Sequence, residues 1–320
     1  MTTMMMEGWA DLIVRPARMQ AAHDMLLRRL HRRYRLTALA AILCLILGSL
    51  LTMAPYLIQM WGQREVEAHA RAVTETASMF PEASRESAVE QAVAWNRRLY
   101  ESGQPIIGEP VFDGKTAGGF QGDAEYQRQL SVNGLDAMGE LLIPVIGVDM
   151  PIMHGAGQQV LEHAAGHLPG TSLPVGGNNT RTVITGHSNL KTATLFTRLG
   201  ELKPDDRFYI RVMGHTLAYR VTSKQVIRPD QTRALRIRKN RDMATLLTCT
   251  GAGNTMRLIV NGIRDDDPSH MDPGMEPRDR LNAMITGITA GLTILAVGIP
   301  LAVRREPTGM HIGYQRKGNQ

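Results

Sequence analysis

Three residues with complementary chemistry each lie on or just beyond a strand-like run. Cys249 closes Ala244-Thr245-Leu246-Leu247-Thr248-Cys249, Arg257 sits inside Met256-Arg257-Leu258-Ile259-Val260, and His187 follows Thr182-Val183-Ile184-Thr185-Gly186. A thiol, an imidazole and a guanidinium supply a nucleophile, a proton carrier and a fixed positive charge. Acyl transfer through a thioester requires those three groups. Of the two cysteines, Cys44 falls in an uncharged apolar stretch, which leaves Cys249 as the one able to face water. A lone thiol in an exported domain points to a reactive group or an intermolecular bridge. The plainer alternative is a buried, inert side chain, because free cysteine is among the most buried residue types.

The surrounding chain predicts where these residues work. Leu36 to Ile58 carries no charge, and its 23 residues are enough to cross a bilayer as an uncleaved helical anchor. Leu281 to Val303 is a second apolar stretch, interrupted by Asn282 and Pro300. Residues 1–35 hold seven arginines against three acids, and the tail after Val303 holds four basic residues against one acid. The positive-inside rule then puts both ends in the cytoplasm and the segment between the spans outside. Of the formal charge of +6, the two tails account for +4 and +3, so residues 59–280 carry −1. The excess of basic residues reports membrane topology, and the exterior segment has no electrostatic case for nucleic acid.

Within the exterior segment, residues 62–101 read as helical, with Pro81 as a break. Ala88, Ala92, Trp95 and Leu99 form one stripe of the second helix. Residues 103–122 are rich in Gly, Pro and small polar side chains and read as a long binding loop or a spacer. From about residue 139 the pattern turns to β. Strands are expected at Leu141–Ile146, Thr182–Gly186, Phe208–Val212, Leu217–Val221, Ser223–Arg228, Ala244–Thr248 and Met256–Ile263. Gly214-His215 is expected to make a two-residue hairpin turn, and a short helix is expected near Thr192–Leu199. Many short strands with Gly and Pro punctuation predict a closed barrel or a sandwich.

Three other features invite function. His163 and His167 are four apart, like metal ligands on one helix face, but no HExxH glutamate or second thiol accompanies them. No metal and no cofactor are therefore expected. Seven basic residues between Lys224 and Arg241 read more readily as a solvated face than as a polyanion site. Gly287 and Gly291 form a GxxxG in the second apolar stretch, a weak helix-packing signal.

The three reactive residues sit in motifs that resemble a known family. Thr245-Leu246-Leu247-Thr248-Cys249 followed by Arg257 resembles the TLxTC…R signature of sortases, and Thr185-Gly186-His187 resembles their histidine motif. The segment from Gly166-His167-Leu168-Pro169-Gly170 to Gly177 looks like the one preceding that histidine in pilus-assembling, class C sortases. Gly139-Glu140-Leu141-Leu142-Ile143-Pro144 resembles their first barrel strand. Two spans around the catalytic domain also suit class C.

The resemblance implies a mainly β fold, an eight-stranded barrel with an N-terminal helical extension and a lid loop, flanked by two transmembrane helices. It implies that Cys249 attacks the Thr carbonyl of an LPxTG-like sorting signal to give a thioacyl enzyme. His187 would protonate the departing glycine amine and then deprotonate the incoming amine, while Arg257 and the backbone N–H of Thr250 would steady the oxyanion. The acceptor would be a lysine on another pilin. Class C lids carry Asp-Pro and then an aromatic residue; here Glu109-Pro110-Val111-Phe112 has a longer acid and an aromatic one place later.

The expected organisation is a cytoplasmic tail at 1–35, a span at 36–58, the helical extension and lid at 59–122 and the catalytic barrel at 123–264. A polar stalk at 265–280, a second span at 281–303 and a cytoplasmic tail at 304–320 would follow. The alternatives are a housekeeping-type sortase acting on a cell-wall precursor and a non-enzymatic, membrane-tethered binding barrel.

Overall fold

The computed structural model describes residues 3–108, 123–131, 137–188 and 195–267, with 287, 288 and 291 beyond them. The chain divides into two units, residues 1–54 with 283–320, and residues 55–282. Helix α1 runs from Thr3 to Met79. Its Met25–Leu51 portion is the one helix among the described residues long and apolar enough to cross a membrane. The second apolar stretch expected to span lies outside the described residues.

In the second unit, Pro81 ends α1 and becomes the N-cap of α2 (Glu82–Glu101). Proline tolerates a helix start but removes a backbone donor from a helix interior, which places the break there. The stripe read from the sequence faces inward. Ala92 is fully buried in the main core, and Ala88, Val89 and Trp95 pack against that core. Asn96, on the same helix, is buried and bonds both ways to Leu173: its Nδ2 donates to the carbonyl at 3.1 Å and its Oδ1 accepts from the N–H at 2.7 Å. A short helix α3 (Ala124–Arg128) follows, capped by the Asp123 carboxylate.

Eight strands then close a barrel: β1 (Ala137–Ile143), β2 (Val148–His154), β3 (Ala165–His167), β4 (Thr180–Thr185), β5 (Arg207–Val212), β6 (His215–Ile227), β7 (Asp242–Thr250) and β8 (Met256–Arg264). Their order around the wall is β1-β2-β3-β4-β7-β8-β6-β5, and pairing of β5 with β1 completes the circuit. β2 with β3 and β4 with β7 are parallel, and the other neighbours are antiparallel. Leu141, Met150, Ile184, Phe208, Leu246 and Val260 help fill the interior. Val183, Leu247 and Ile259 point the other way, into a second cluster with Leu168, Ile227 and Leu235. The β4–β7–β8 wall is thus covered on both faces, as parallel pairing requires.

Several boundaries differ from expectation. β1 stops at Ile143, because Pro144 opens a short 3-10 turn, Pro144–Ile146. The hairpin turn is Met213-Gly214, with φ of +47° and +83°, and His215 already pairs with Val212 in β6. A two-residue turn with positive φ at both central positions takes glycine second here. The separate strand expected at Ser223–Arg228 is the far half of β6, continued through a register shift between Val221 and Ser223. Residues 192–194 of the expected short helix lie outside the described residues. Leu195 to Arg198 is turn and Leu199–Glu201 a 3-10 turn.

Candidate active site

The register of the barrel wall brings the three reactive residues together. Cys249 is the second-last residue of β7, and its cross-strand partner on antiparallel β8 is Arg257. On the other side of β7 runs β4, parallel, with Thr185 level with Leu247. Gly186 continues that ladder by donating its N–H to the Leu247 carbonyl at 3.1 Å. His187 lies two residues beyond Thr185, in the loop that leaves β4, and Cys249 lies two residues beyond Leu247 on β7.

Side chains that sequence reasoning did not single out lock this alignment. Thr248 Oγ1 donates to the Gly186 carbonyl at 2.7 Å, and Ser188 Oγ donates to the Cys249 carbonyl at 2.9 Å. These bonds bracket His187 and tie its loop to the cysteine strand. The Phe196 N–H donates to the His187 carbonyl at 3.0 Å, and the Phe196 ring is fully buried. Gly186 lets that ring approach, since a Cβ there would lie 2.9 Å from it. Thr248 belongs to the cysteine motif and Ser188 directly follows the histidine motif, so both were within reach of a sequence reading. The role of Phe196 depends on a fold contact that no local pattern carries.

Burial defines the electrostatics. Cys249 is only 4 % exposed and Arg257 8 %, so the thiol expected to face water lies within the wall. Arg257 Nη1 donates to the carbonyls of Asn254 at 2.9 Å and Met256 at 3.2 Å. Those bonds hold a permanent charge across the strand from the sulfur. Burial lowers the His187 pKa below the usual range, while the charge of Glu162 pulls it back up. Thr250 follows Cys249 as the last residue of β7, paired with Met256.

Glu109, Pro110 and Phe112, read as a lid, lie outside the described residues. The flanks of that loop are described, and both rest on the same segment of the barrel. On one side Gln104 Nε2 donates to the Gly170 carbonyl at 2.9 Å, and the Gly108 N–H donates to the Pro169 carbonyl at 2.9 Å. On the other side the Tyr126 hydroxyl meets His167 Nδ1 at 2.9 Å. Residues 167–170 thus anchor both ends.

The same network disposes of the histidine pair. His167 belongs to β3 and not to a helix face shared with His163, and it is fully buried. Its Nε2 faces the Ser172 carbonyl at 2.8 Å while Nδ1 faces Tyr126, so both ring nitrogens are engaged. Burial first of all pushes its pKa down to about 4. His163 is exposed. Among the described residues no group of three His, Cys, Asp or Glu side chains could hold a metal ion.

Comparison with known proteins agrees with this geometry. A sortase-domain family model matches residues 141–265. Sortase D of Bacillus subtilis strain 168 is 28% identical over 132 residues, covering 40% of this chain and 64% of that protein. Sortase A of Streptococcus agalactiae serotype III is 25% identical over 139 residues, covering 42% and 55%. The chain thus spans less than two thirds of the length of these curated relatives. Among solved structures, sortase C1 of GBS pilus island 1 is 36% identical with a TM-score of 0.56, covering 66% of this chain and 96% of that one. Sortase C of Streptococcus pneumoniae is 37% identical with a TM-score of 0.55, covering 61% and 95%. Family model, barrel and solved neighbours converge: the chain belongs to the sortase family and is similar in fold to its pilus-related, class C members.

Proposed function

We propose that this protein is a membrane-anchored cysteine transpeptidase that joins pilins through a thioacyl intermediate. The observation that supports the proposal is the strand register, with Cys249 opposite Arg257 on one side and, on the other, β4 ending level with Leu247 two residues before His187. In the first half-reaction, Cys249 Sγ attacks the Thr carbonyl carbon of an LPxTG-like signal, and negative charge develops on the carbonyl oxygen. Arg257 and the Thr250 N–H are assigned to that oxygen. The Thr–Gly bond breaks, His187 gives its proton to the glycine amine, and a thioester remains on Cys249. In the second half-reaction, a pilin lysine amine attacks the thioester and yields a proton to His187. The thiol is regenerated and an isopeptide bond results.

The similarity in fold to pilus-related sortases supports a lysine acceptor over a wall-precursor amine. The apolar portion of α1 supports membrane attachment. The proposed topology keeps two spans and both termini in the cytoplasm, with the catalytic barrel outside. Incubating the full chain in detergent with pilins that carry LPxTG tails should give covalent ladders, and Cys249→Ala should give none. Ladders from that variant would remove the enzyme reading. Transfer to a wall-precursor amine in preference to pilin lysine would favour the housekeeping type.

A further inference from the structure

A separate cavity of about 300 Å³ lies between the end of α1, the first turn of α2, the start of β1 and the β5–β6 hairpin. β6 begins at this hairpin and reaches the level of Arg257 only at Ile227, so the cavity lies far from Cys249 along the barrel. At ~3.3 Å per residue the separation along the strand is on the order of 40 Å. No step of acyl transfer uses this cavity.

Its lining is of two kinds. Val73, Ala77, Ala137 and Met138, each at most 5 % exposed, form the apolar part of the lining, and Arg85 contributes a guanidinium. Arg85 Nε is buried with no hydrogen-bond partner, and no ion pair or side-chain hydrogen bond of Arg85 occurs among the described residues. Gly214 allows the hairpin turn to rest against this group: a Cβ there would lie 2.1 Å from Arg85 Nη1. Arg211, which also lines the cavity, is directed to the buried Glu140 carboxylate at 3.4 Å. Among the described residues, the cavity therefore holds one guanidinium with a carboxylate partner and one without. A buried donor without an acceptor is a standing cost, which an entering anion relieves.

We propose that this cavity binds a carboxylate bearing a short apolar group, the carboxylate on Arg85 and the apolar group against Val73, Ala77 and Met138. A planar guanidinium matches a carboxylate through two parallel hydrogen bonds. One unbalanced cation suits a monoanion, and the volume is at the lower end of the range for small-molecule sites. A free organic acid and the C-terminal residue of a peptide share this chemistry.

The test is calorimetric titration of the full chain in detergent micelles with N-acetyl-leucine, its neutral amide and inorganic phosphate. The acid should bind, and the amide should bind at least ~10-fold more weakly. Arg85→Gln should weaken the acid by a similar factor. Ala77→Met, which fills the apolar side and leaves the charge, should abolish binding. A tripeptide ending in free leucine that binds more tightly than N-acetyl-leucine identifies a peptide end as the source, and equal binding identifies a free acid. Equal affinity for acid and amide, phosphate binding as tightly as the acid, unchanged affinity in Arg85→Gln, or no heat at ~10 mM acid would each overturn the assignment. The comparison of acid with amide needs only the unaltered chain, so it decides the matter even if a variant fails to fold.

Discussion

At the scale of single residues, the proposed site joins two adjacent strands, β7 and β8, with the loop that follows β4, and each member is expected to have a distinct effect when removed. Arg257 is held by two backbone carbonyls and faces the cysteine strand, so its part is positional as well as electrostatic. Arg257→Lys keeps the charge but loses the planar fork, so the two effects separate. Arg257→Ala should lower the turnover of an LPxTG peptide about 10²–10³-fold, the loss typical of a deleted oxyanion donor. Arg257→Lys should recover only part of that. Turnover equal to wild type in Arg257→Lys would show that charge alone matters. His187→Ala should cost about 10²–10⁴-fold, as for a deleted acid–base group, with the unfolding temperature unchanged. His167→Ala should instead lower the unfolding temperature, because it removes the imidazole from the buried Ser172 carbonyl and takes one of its contacts from the buried Tyr126 hydroxyl.

At the scale of elements, α1 is fastened to the barrel through a buried pair of acids. Glu140 of β1 is fully buried and Asp149 of β2 nearly so. Thr74 Oγ1 of α1 donates to Glu140 Oε2, Arg211 of β5 approaches the same carboxylate, and Arg71 of α1 lies 3.7 Å from Asp149. Burial first, then the hydrogen bond and charge of Glu140 and the charge of Glu67, raise the Asp149 pKa to about 8; Arg71 opposes them. The folded state thus holds this proton up to a higher pH than the unfolded chain, whose aspartate titrates near ~3.9. The stability from the protonated pair is fully present below about pH 4 and is lost as pH rises toward 8. Denaturant unfolding between those limits should show wild type losing stability with pH relative to Asp149→Asn, which cannot ionise. Parallel pH profiles for the two proteins would refute the shared proton.

Legibility also varies with element. The β7–β8 pair and the end of β4 were readable because Leu246-Leu247, Ile259-Val260 and Val183-Ile184 are dense β-formers next to the reactive residues. β2 was missed because Asp149 and Pro151 interrupt Val148–His154 with residues that strands disfavour, and their burial depends on partners from β1 and α1. β3 has only three residues, Ala-Gly-His, too few for any period to show. The hairpin was placed one residue late because Met213 adopts positive φ, which nothing in its side chain advertises. The buried Arg181, bonded to Thr245, Asn261 and the Arg236 carbonyl, was equally hidden.

At the scale of the whole molecule, the barrel accounts for the sortase match, and the apolar part of α1 supplies one helix long enough to span a membrane. The proposed two-span topology predicts that a C-terminal reporter is active in the cytoplasm and that protease added to intact cells leaves the tail uncut. Cleavage of that tail from outside would exclude a second span. The most direct test of the whole proposal is the mass of the enzyme during turnover. The full chain mixed with an LPxTG peptide should gain the mass of the acyl fragment ending in threonine, mapped to Cys249. The adduct should disappear when a lysine-bearing pilin is added, and it should never form in Cys249→Ala. An adduct on any other residue, or peptide cleavage by Cys249→Ala at the wild-type rate, would contradict a thioacyl enzyme built on Cys249, His187 and Arg257.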